Sequence, residues 1–401
     1  MNYIYICNAL PEKVNNKLER SVAGNKFSLN MAKALNEAAG DRLQFLSLSQ
    51  GAEELVSSLC GGEIWPGKKL HSVRKGNLFF FSEIAYIFRL KKSIEKIIKK
   101  QGQSVIILEN APMAPAVCCE LMNRWQGIPC FSITIDTPFT KAFSSKGLVG
   151  HVNYALFKRG QYALRHFNGL ITFTKAAEKD LHIQIPCMEF AIGCNREQIP
   201  TPEQIPLLSN SGEKTVVYAG TLIYYNCTHE LLCAFAQLGE GYQLHIYGYG
   251  PLEEEVKKMS ERYSNIHFHG RFSPKDTNSI LVKYDLLINP RQLDESIENF
   301  TFPSKLVDYI LSCKSVLTSD FRTMPKEYHS FLYIIREMTP EGIAKAVKAC
   351  FEESLDDRQK RVMEAVSYLK QNQTYDIIAE KILSFVNENL KKVDHESRHK
   401  I

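Results

Sequence analysis

The chain has 401 residues, with 49 Lys and Arg against 44 Asp and Glu, a formal charge of +5 and 23% charged residues. That is an ordinary globular composition, long enough for two cores and too weakly basic to point to nucleic acid. Eleven scattered cysteines without a CxxC pair exclude a disulfide scaffold and offer no zinc spacing, and no apolar run of 18 residues exists to form a membrane span.

The start, Met1-Asn-Tyr-Ile-Tyr-Ile-Cys-Asn8, lacks a basic segment and soon meets Pro11 and Glu12, so it reads as a strand and not as a signal peptide. A cytoplasmic protein is expected. From there strands and helices alternate. A strand at 3–7 is followed by a polar stretch with Gly24-Asn-Lys26, then a helix at 27–36 with Leu29, Met31, Ala32 and Leu35 on one face. A strand at 43–48 follows, and 52–78 is read as a short helix and an edge strand. The helix at 80–100 ends in lysines, which suits its carboxyl-terminal dipole. Strands at 105–108, 130–135, 170–173 and 188–191 then alternate with helices at 113–125, 149–166 and 175–181.

Pro200, Pro202 and Pro206, between Gly193 and Gly212, mark a linker. The pattern then restarts. A strand at 215–218 runs into Gly220-Thr221, and a second at 243–247 runs into Gly248-Tyr-Gly250. Helices at 227–238, 252–260 and 274–283 intervene, with strands at 266–268, 285–288 and 315–318. The remainder is helical at 340–353, 356–370 and 374–390. The division expected is a first α/β domain over 1–195, a linker at 196–212, a second α/β domain over 213–370 and a terminal helix with a polar tail over 371–401. That helix packs on its own domain or crosses back to the first. Two such parallel-sheet domains imply ligands beyond the strand ends.

The densest set of polar candidates lies in 289–317. Arg291 and Lys305 are suited to a diphosphate, through charge-assisted hydrogen bonds. Ser304 and the amides of the helix start add anion donors. Asp308 is suited to two ribose hydroxyls or, equally, to a first-turn acid on the helix dipole. Gly220, Thr221, Gly248 and Gly250 allow close approach of a ligand, or simply make tight turns. In the first half, Asp136 and Glu109 follow strands and are candidates to orient an acceptor hydroxyl or serve as base, with capping as the alternative. Gly24 and Lys26 precede a helix and are candidates for donor phosphate or acceptor. The segment 151–167, rich in aromatic and basic residues, is suited to an anionic membrane surface or to ordinary packing, and 84–100 has the same ambiguity. No GxGxxG follows the first strand, and no GxxxxGK[ST] occurs.

Taken together, Val217-Tyr-Ala-Gly-Thr221, Leu244-His-Ile-Tyr-Gly-Tyr-Gly250, Tyr284-Asp-Leu-Leu-Ile-Asn-Pro-Arg291, Phe302-Pro-Ser-Lys-Leu-Val-Asp-Tyr309 and Met324-Pro-Lys-Glu-Tyr328 resemble the retaining nucleotide-sugar glycosyltransferases of the GT-B fold. The resemblance is to the family-4-like group that builds bacterial surface polysaccharides, and it is strongest over 213–337. It implies two Rossmann-like α/β/α domains facing a central cleft, with a helical carboxyl-terminal segment. It implies transfer of a sugar from a nucleoside-diphosphate donor to a glycan or lipid-linked glycan, with retention, without bound metal or other cofactor, and with peripheral contact at the inner membrane surface. By the same resemblance Asp308 holds the donor ribose and Glu298 lies near the transferred sugar, with Glu295 and Asp294 as rivals. Nine residues separate Glu298 from Asp308 where the commoner motif has seven. The Lys-Gly pair that many relatives carry after the first strand of this domain is replaced by Tyr225-Asn-Cys-Thr228. Arg291, Lys305 or Lys26 is then needed to supply the positive charge. A catalytically weak GT-B relative acting as a binding subunit, and a GT-B sugar-nucleotide epimerase, are the alternatives.

Overall fold

The computed structural model describes residues 1–19, 21–48, 52–73, 81–135, 148–209, 212–271, 277–292 and 299–398. The chain divides into two compact units. The first comprises Met1–Ile192, Asn299–Phe302 and Tyr375–Ile401, and the second Gly193–Glu298 and Pro303–Thr374.

The first unit contains β1 (Asn2–Cys7), α1 (Glu12–Lys17), α2 (Val22–Ala39), β2 (Leu43–Ser47), α3 (Glu53–Cys60), β3 (Glu63–Trp65), β4 (Lys68–Lys69), α4 (Phe81–Gln101), β5 (Ser104–Glu109), α5 (Met113–Gln126), β6 (Cys130–Thr134), α6 (Leu148–Ala163), β7 (Gly169–Thr172), α7 (Ala176–Leu181) and β8 (Cys187–Glu189). Its sheet is parallel throughout, in the order β2-β1-β5-β6-β7-β8. Strands such as β1 and β5 are apolar on both faces because both faces are covered. Tyr3, Tyr5, Val105, Ile107 and Phe131 point into one core layer, and Ile4, Ile6, Ile106 and Leu108 into the other.

The second unit contains β9 (Lys214–Thr221), α8 (Thr228–Leu238), β10 (Tyr242–Tyr249), α9 (Glu253–Arg262), β11 (Ile266–Phe268), α10 (Thr277–Leu281), β12 (Leu286–Asn289), α11 (Lys305–Leu311), β13 (Ser315–Ser319), α12 (Tyr328–Phe331), β14 (Tyr333–Ile335), α13 (Pro340–Glu352) and α14 (Leu355–Asn372). Its parallel sheet runs β11-β10-β9-β12-β13-β14. This is the doubly wound dinucleotide-fold order, whose direction of winding reverses between β9 and β12. The two Rossmann-like α/β units are the architecture the sequence implied.

The last helix, α15 (Tyr375–Arg398), belongs to the first unit. Tyr375, Ile378, Ala379, Ile382, Val386 and Leu390 recur at helical spacing and are buried in the same layer as Phe27 and Met31 of α2. The Tyr3 hydroxyl of β1 donates to Asn387 Oδ1 at 2.8 Å. The short return Asn299–Phe302 also belongs to this unit. Asn299 Nδ2 donates to Asp180 Oδ2 at 2.7 Å, and the Phe302 ring lies 5.9 Å from that of Phe173.

Three local differences from the sequence reading have simple causes. Helix α2 starts at Val22 and not at 27, because Ser21 Oγ accepts from the Gly24 amide and caps it. Strands β3 and β4 pair only with each other, and the edge beside β2 is met by a single bridge from Ser72 to Ser47. Strand β14, absent from the sequence reading, is three residues long, too short for a periodic signal.

Candidate active site

The crevice at a winding reversal is where a doubly wound sheet offers a ligand its backbone ends. In the second unit β9 and β12 pair only at Val216–Leu286 and Val217–Leu287 and part beyond that point. The Tyr309 hydroxyl of α11 fills the resulting gap, accepting from the Ala219 amide at 3.1 Å and donating to the Ala219 carbonyl at 3.4 Å. Tyr309 is buried, so this pair of bonds pins α11 against the end of β9.

One turn earlier on α11, the Lys305 ammonium reaches the backbone of Gly220. A Cβ added at Gly220 would stand 2.5 Å from Lys305 Nζ and 2.5 Å from the Tyr218 hydroxyl, so glycine is what lets the ammonium lie there. Lys305 Nζ is 5.9 Å from the centre of the Tyr218 ring. Burial, and then the charge of Arg291, pull Lys305 down to about 8, while Asp308 acts in the opposite direction.

Arg291 follows β12. Its amide donates to Ser319 Oγ at 2.6 Å, and that hydroxyl donates back to the Arg291 carbonyl at 2.9 Å, which fixes the backbone at the end of β13. The guanidinium lies 4.8 Å over the Tyr225 ring, and among the described residues its buried Nε has no hydrogen-bond partner. Tyr225 is itself held to this segment, since the Gln292 amide donates to its carbonyl at 2.8 Å. The stretch Tyr225-Asn-Cys-Thr228, which has no lysine, therefore offers an aromatic platform for an arginine that arrives from another strand. Tyr218, Tyr225 and Tyr309 stand in the sequence only as members of motifs, with no role of their own, because those roles depend on partners 66 to 90 positions away.

Of the other expected residues, Ser304 stands at the N-cap position of α11 without a side-chain cap bond, and Asp308 is half-buried one turn on. Thr221 is exposed, with its carbonyl accepting from Tyr218 and Asn226, each at 2.8 Å. Gly248 and Gly250 have φ of 157° and 156°, and added Cβ atoms would stand 1.9 Å from the Gly220 carbonyl oxygen and 2.5 Å from that of Leu222. Their close approach is to the protein's own backbone, which accounts for glycine at both positions. Gly24 and Lys26 lie in the first turn of α2 in the first unit, and the Gly24 amide is taken by Ser21. Glu298, its rivals Glu295 and Asp294, and Asp136 lie outside the described residues.

Glu109 corrects the reading of an accessible acid. It ends β5 at the winding reversal of the first unit and is 2% exposed. Its two oxygens accept from the Tyr5 hydroxyl at 2.6 Å and the Ser28 hydroxyl at 2.5 Å. Burial pushes its carboxyl up to about 7 against these two bonds. The next two residues, Asn110 and Ala111, take φ of 56° and 36°, unusual for side-chain-bearing residues.

Residues 202–368 match the family model described as glycosyl transferases group 1. The matched stretch coincides with most of the second unit and holds Arg291, Lys305 and Asp308. No curated protein matches the sequence. Among solved structures, the chain is similar to Anabaena Alr3699/HepE in complex with UDP, at 12% identity over 97% of this chain and 100% of that one, with a TM-score of 0.65. A glycosyltransferase from Rickettsia africae is similar at 14% identity over 98% and 100%, with a TM-score of 0.65. A UDP-forming alpha,alpha-trehalose-phosphate synthase from Burkholderia xenovorans, in complex with glucose-6-phosphate, is similar at 12% identity over 96% and 100%, with a TM-score of 0.60. Identities this low show the fold alone, and that fold is GT-B. Among the described residues no group of three or more His, Cys, Asp or Glu could hold a metal ion, and no helix is long and apolar enough to cross a membrane.

Proposed function

We propose that this protein transfers a sugar from a nucleoside-diphosphate sugar to a glycan or lipid-linked glycan, with retention of anomeric configuration, in the assembly of a bacterial surface polysaccharide. The observation that carries the reading is the Lys305 ammonium beside Gly220, at the parted ends of β9 and β12, where the charge of Arg291 also acts on it. Two like charges held together in a half-buried crevice repel each other, and a dianionic group between them removes that cost. The unpartnered Arg291 Nε is consistent with a ligand at this point. The similar Anabaena protein was solved with UDP and with UDP-glucose, which supports a nucleotide-sugar donor here.

In this reading the second unit holds the donor and the first the acceptor. Lys305, Arg291 and the Ser304 end of α11 take the diphosphate, Asp308 takes the ribose hydroxyls, and Gly220 and Thr221 border the phosphates. Glu298 is assigned to the transferred sugar and Asp136 to the acceptor. The bond from the anomeric carbon to the diphosphate oxygen breaks, and the acceptor hydroxyl forms the new bond on the same face. Its proton passes to the departing diphosphate. Lys305 and Arg291 stabilise the charge that develops on that group, and the protein otherwise fixes geometry. We place the protein in the cytoplasm, in peripheral contact with the membrane that bears a lipid-linked acceptor.

Calorimetric titration with a panel of nucleoside-diphosphate sugars tests this. One donor should bind, and Asp308→Ala should weaken it at least about a hundred-fold, the loss expected for two hydrogen bonds to a charged acceptor. An unchanged affinity removes Asp308 from the ribose, and no binding by any donor overturns the transferase reading.

A further inference from the structure

The strongest unassigned surface lies on the first unit, on the outward face of α4. This helix turns Tyr86, Leu90 and Ile94 into the core. The opposite stripe, at the same helical spacing, reads Ile84, Phe88, Lys92, Lys96 and Lys99, all exposed. Ile84 and Phe88 are 56% and 66% exposed, successive turns of apolar side chain facing water. The helix carries six Lys and Arg against two Glu, an excess of four positive charges in a chain whose whole formal excess is five. At the lysine end, Gln126 Nε2 donates to Glu95 Oε1 at 2.8 Å, which brings the end of α5 alongside. There Trp125 is 73% exposed.

We infer that this face docks the protein on an anionic lipid bilayer. Exposed apolar side chains and a row of lysines on one side of a helix, with an exposed indole on the helix next to it, match the interfacial zone of a membrane. There rings and aliphatic groups enter the acyl boundary and ammonium groups meet lipid phosphates. The charge argues for lipid over a second copy of the chain, because an identical stripe carries no carboxylate to meet those lysines. The inference sharpens the peripheral contact proposed above by giving it a surface, and its physical basis does not depend on the donor site.

The segment 151–167, suited in sequence to a membrane surface or to ordinary packing, takes the second role. There Ala163, Leu164 and Phe167 are buried in the core. Arg159 lies 2.5 Å from the buried Glu120, which His166 and Arg124 also approach at 2.9 and 3.8 Å. That segment is a packed helix, and its Arg159 and His166 serve a buried carboxylate.

The test is co-sedimentation of the full chain with phosphatidylcholine vesicles, with and without phosphatidylglycerol. Pelleting is expected only with the anionic lipid and should fade at high salt. Ile84→Ser with Phe88→Ser, and separately Lys92→Glu with Lys96→Glu and Lys99→Glu, should each lower partitioning by about ten-fold or more. All five positions are exposed, so circular dichroism and melting temperature should stay at wild-type values. Donor titration on the same samples should also be unchanged, which keeps a failed donor site separate from a failed membrane contact. Wild-type protein that ignores anionic vesicles, or variants that pellet like wild type, would overturn the inference. So would a dimer in sedimentation velocity that the Ile84 and Phe88 changes dissolve, since that would make the face a protein interface.

Discussion

Replacing Lys305 by Met is expected to lower turnover about a thousand-fold with the preferred donor, at neutral pH. Methionine keeps the length and apolar body of the stem, so the packing of α11 against β9 is preserved and the change is confined to the charge. Removing one preorganised donor to a developing anion in a water-poor site typically costs about a hundred- to a thousand-fold. The upper end applies here because the stretch Tyr225-Asn-Cys-Thr228 supplies no lysine, so Arg291 is the other cation assigned to the diphosphate. A pH series gives an independent check. Lys305 titrates near 8 in the free protein, since burial and Arg291 both disfavour its charged form. A bound diphosphate favours that charged form, so binding above pH 8 requires proton uptake. Donor affinity should therefore be flat below pH 8 and fall about ten-fold per pH unit above it. In the Lys305→Met protein the fall should vanish. In Arg291→Gln it should begin at higher pH, because the repelling charge has gone. A wild-type profile in Lys305→Met would separate Lys305 from the diphosphate, and one in Arg291→Gln would separate the two charges from each other.

The fold was legible because it rests on short-range pattern. Runs such as Val105-Ile-Ile-Leu108 and Leu286-Leu-Ile288 are apolar on both faces, as only strands of a covered parallel sheet need to be. Lys305, Arg291 and Asp308 were legible as candidates because 291–308 is short and dense in charge. The structure adds the gap that brings them together, set by where β12 stops pairing with β9, and no local sequence encodes a register. Tyr309 illustrates the same limit: it looks like any core aromatic until its hydroxyl is found on Ala219, 90 positions away. Glycine was legible only as a request for space. At Gly220 the space goes to Lys305, and at Gly248 to the carbonyl of Gly220. The basic helices were equally ambiguous in sequence. What separates them is a buried carboxylate, Glu120, under one and solvent over the other.

Glu109→Gln should change the pH dependence of stability by about 3 kcal/mol. An Asp or Glu after a strand ordinarily reads as an accessible acid, but Glu109 is enclosed, and its two hydroxyl partners come from positions 104 and 81 residues away. Desolvation disfavours its ionised form, and the two hydrogen bonds recover only part of that. The folded protein therefore holds the carboxyl at about 7 against an ordinary value of 4.5. The folded state binds more protons than the unfolded state between those two values. The resulting stabilisation is complete below pH 4.5, is lost as pH rises through 7, and stays lost above that. A shift of this size corresponds to about 3 kcal/mol. Glutamine has the same shape and can still pair with both hydroxyls, but it cannot ionise. Denaturant unfolding of the two proteins in parallel removes every other titrating group from the comparison. The variant should gain on wild type by about 3 kcal/mol between pH 4.5 and pH 8. A difference that does not change with pH would mean that Glu109 ionises in the folded protein as easily as in water. Because Ser28 lies on α2 and Tyr5 on β1, the same charge bears on how firmly that helix is held to the sheet. Hydrogen exchange of the α2 amides should therefore quicken from pH 5 to pH 8 beyond its intrinsic pH dependence in wild type, and should not do so in the variant.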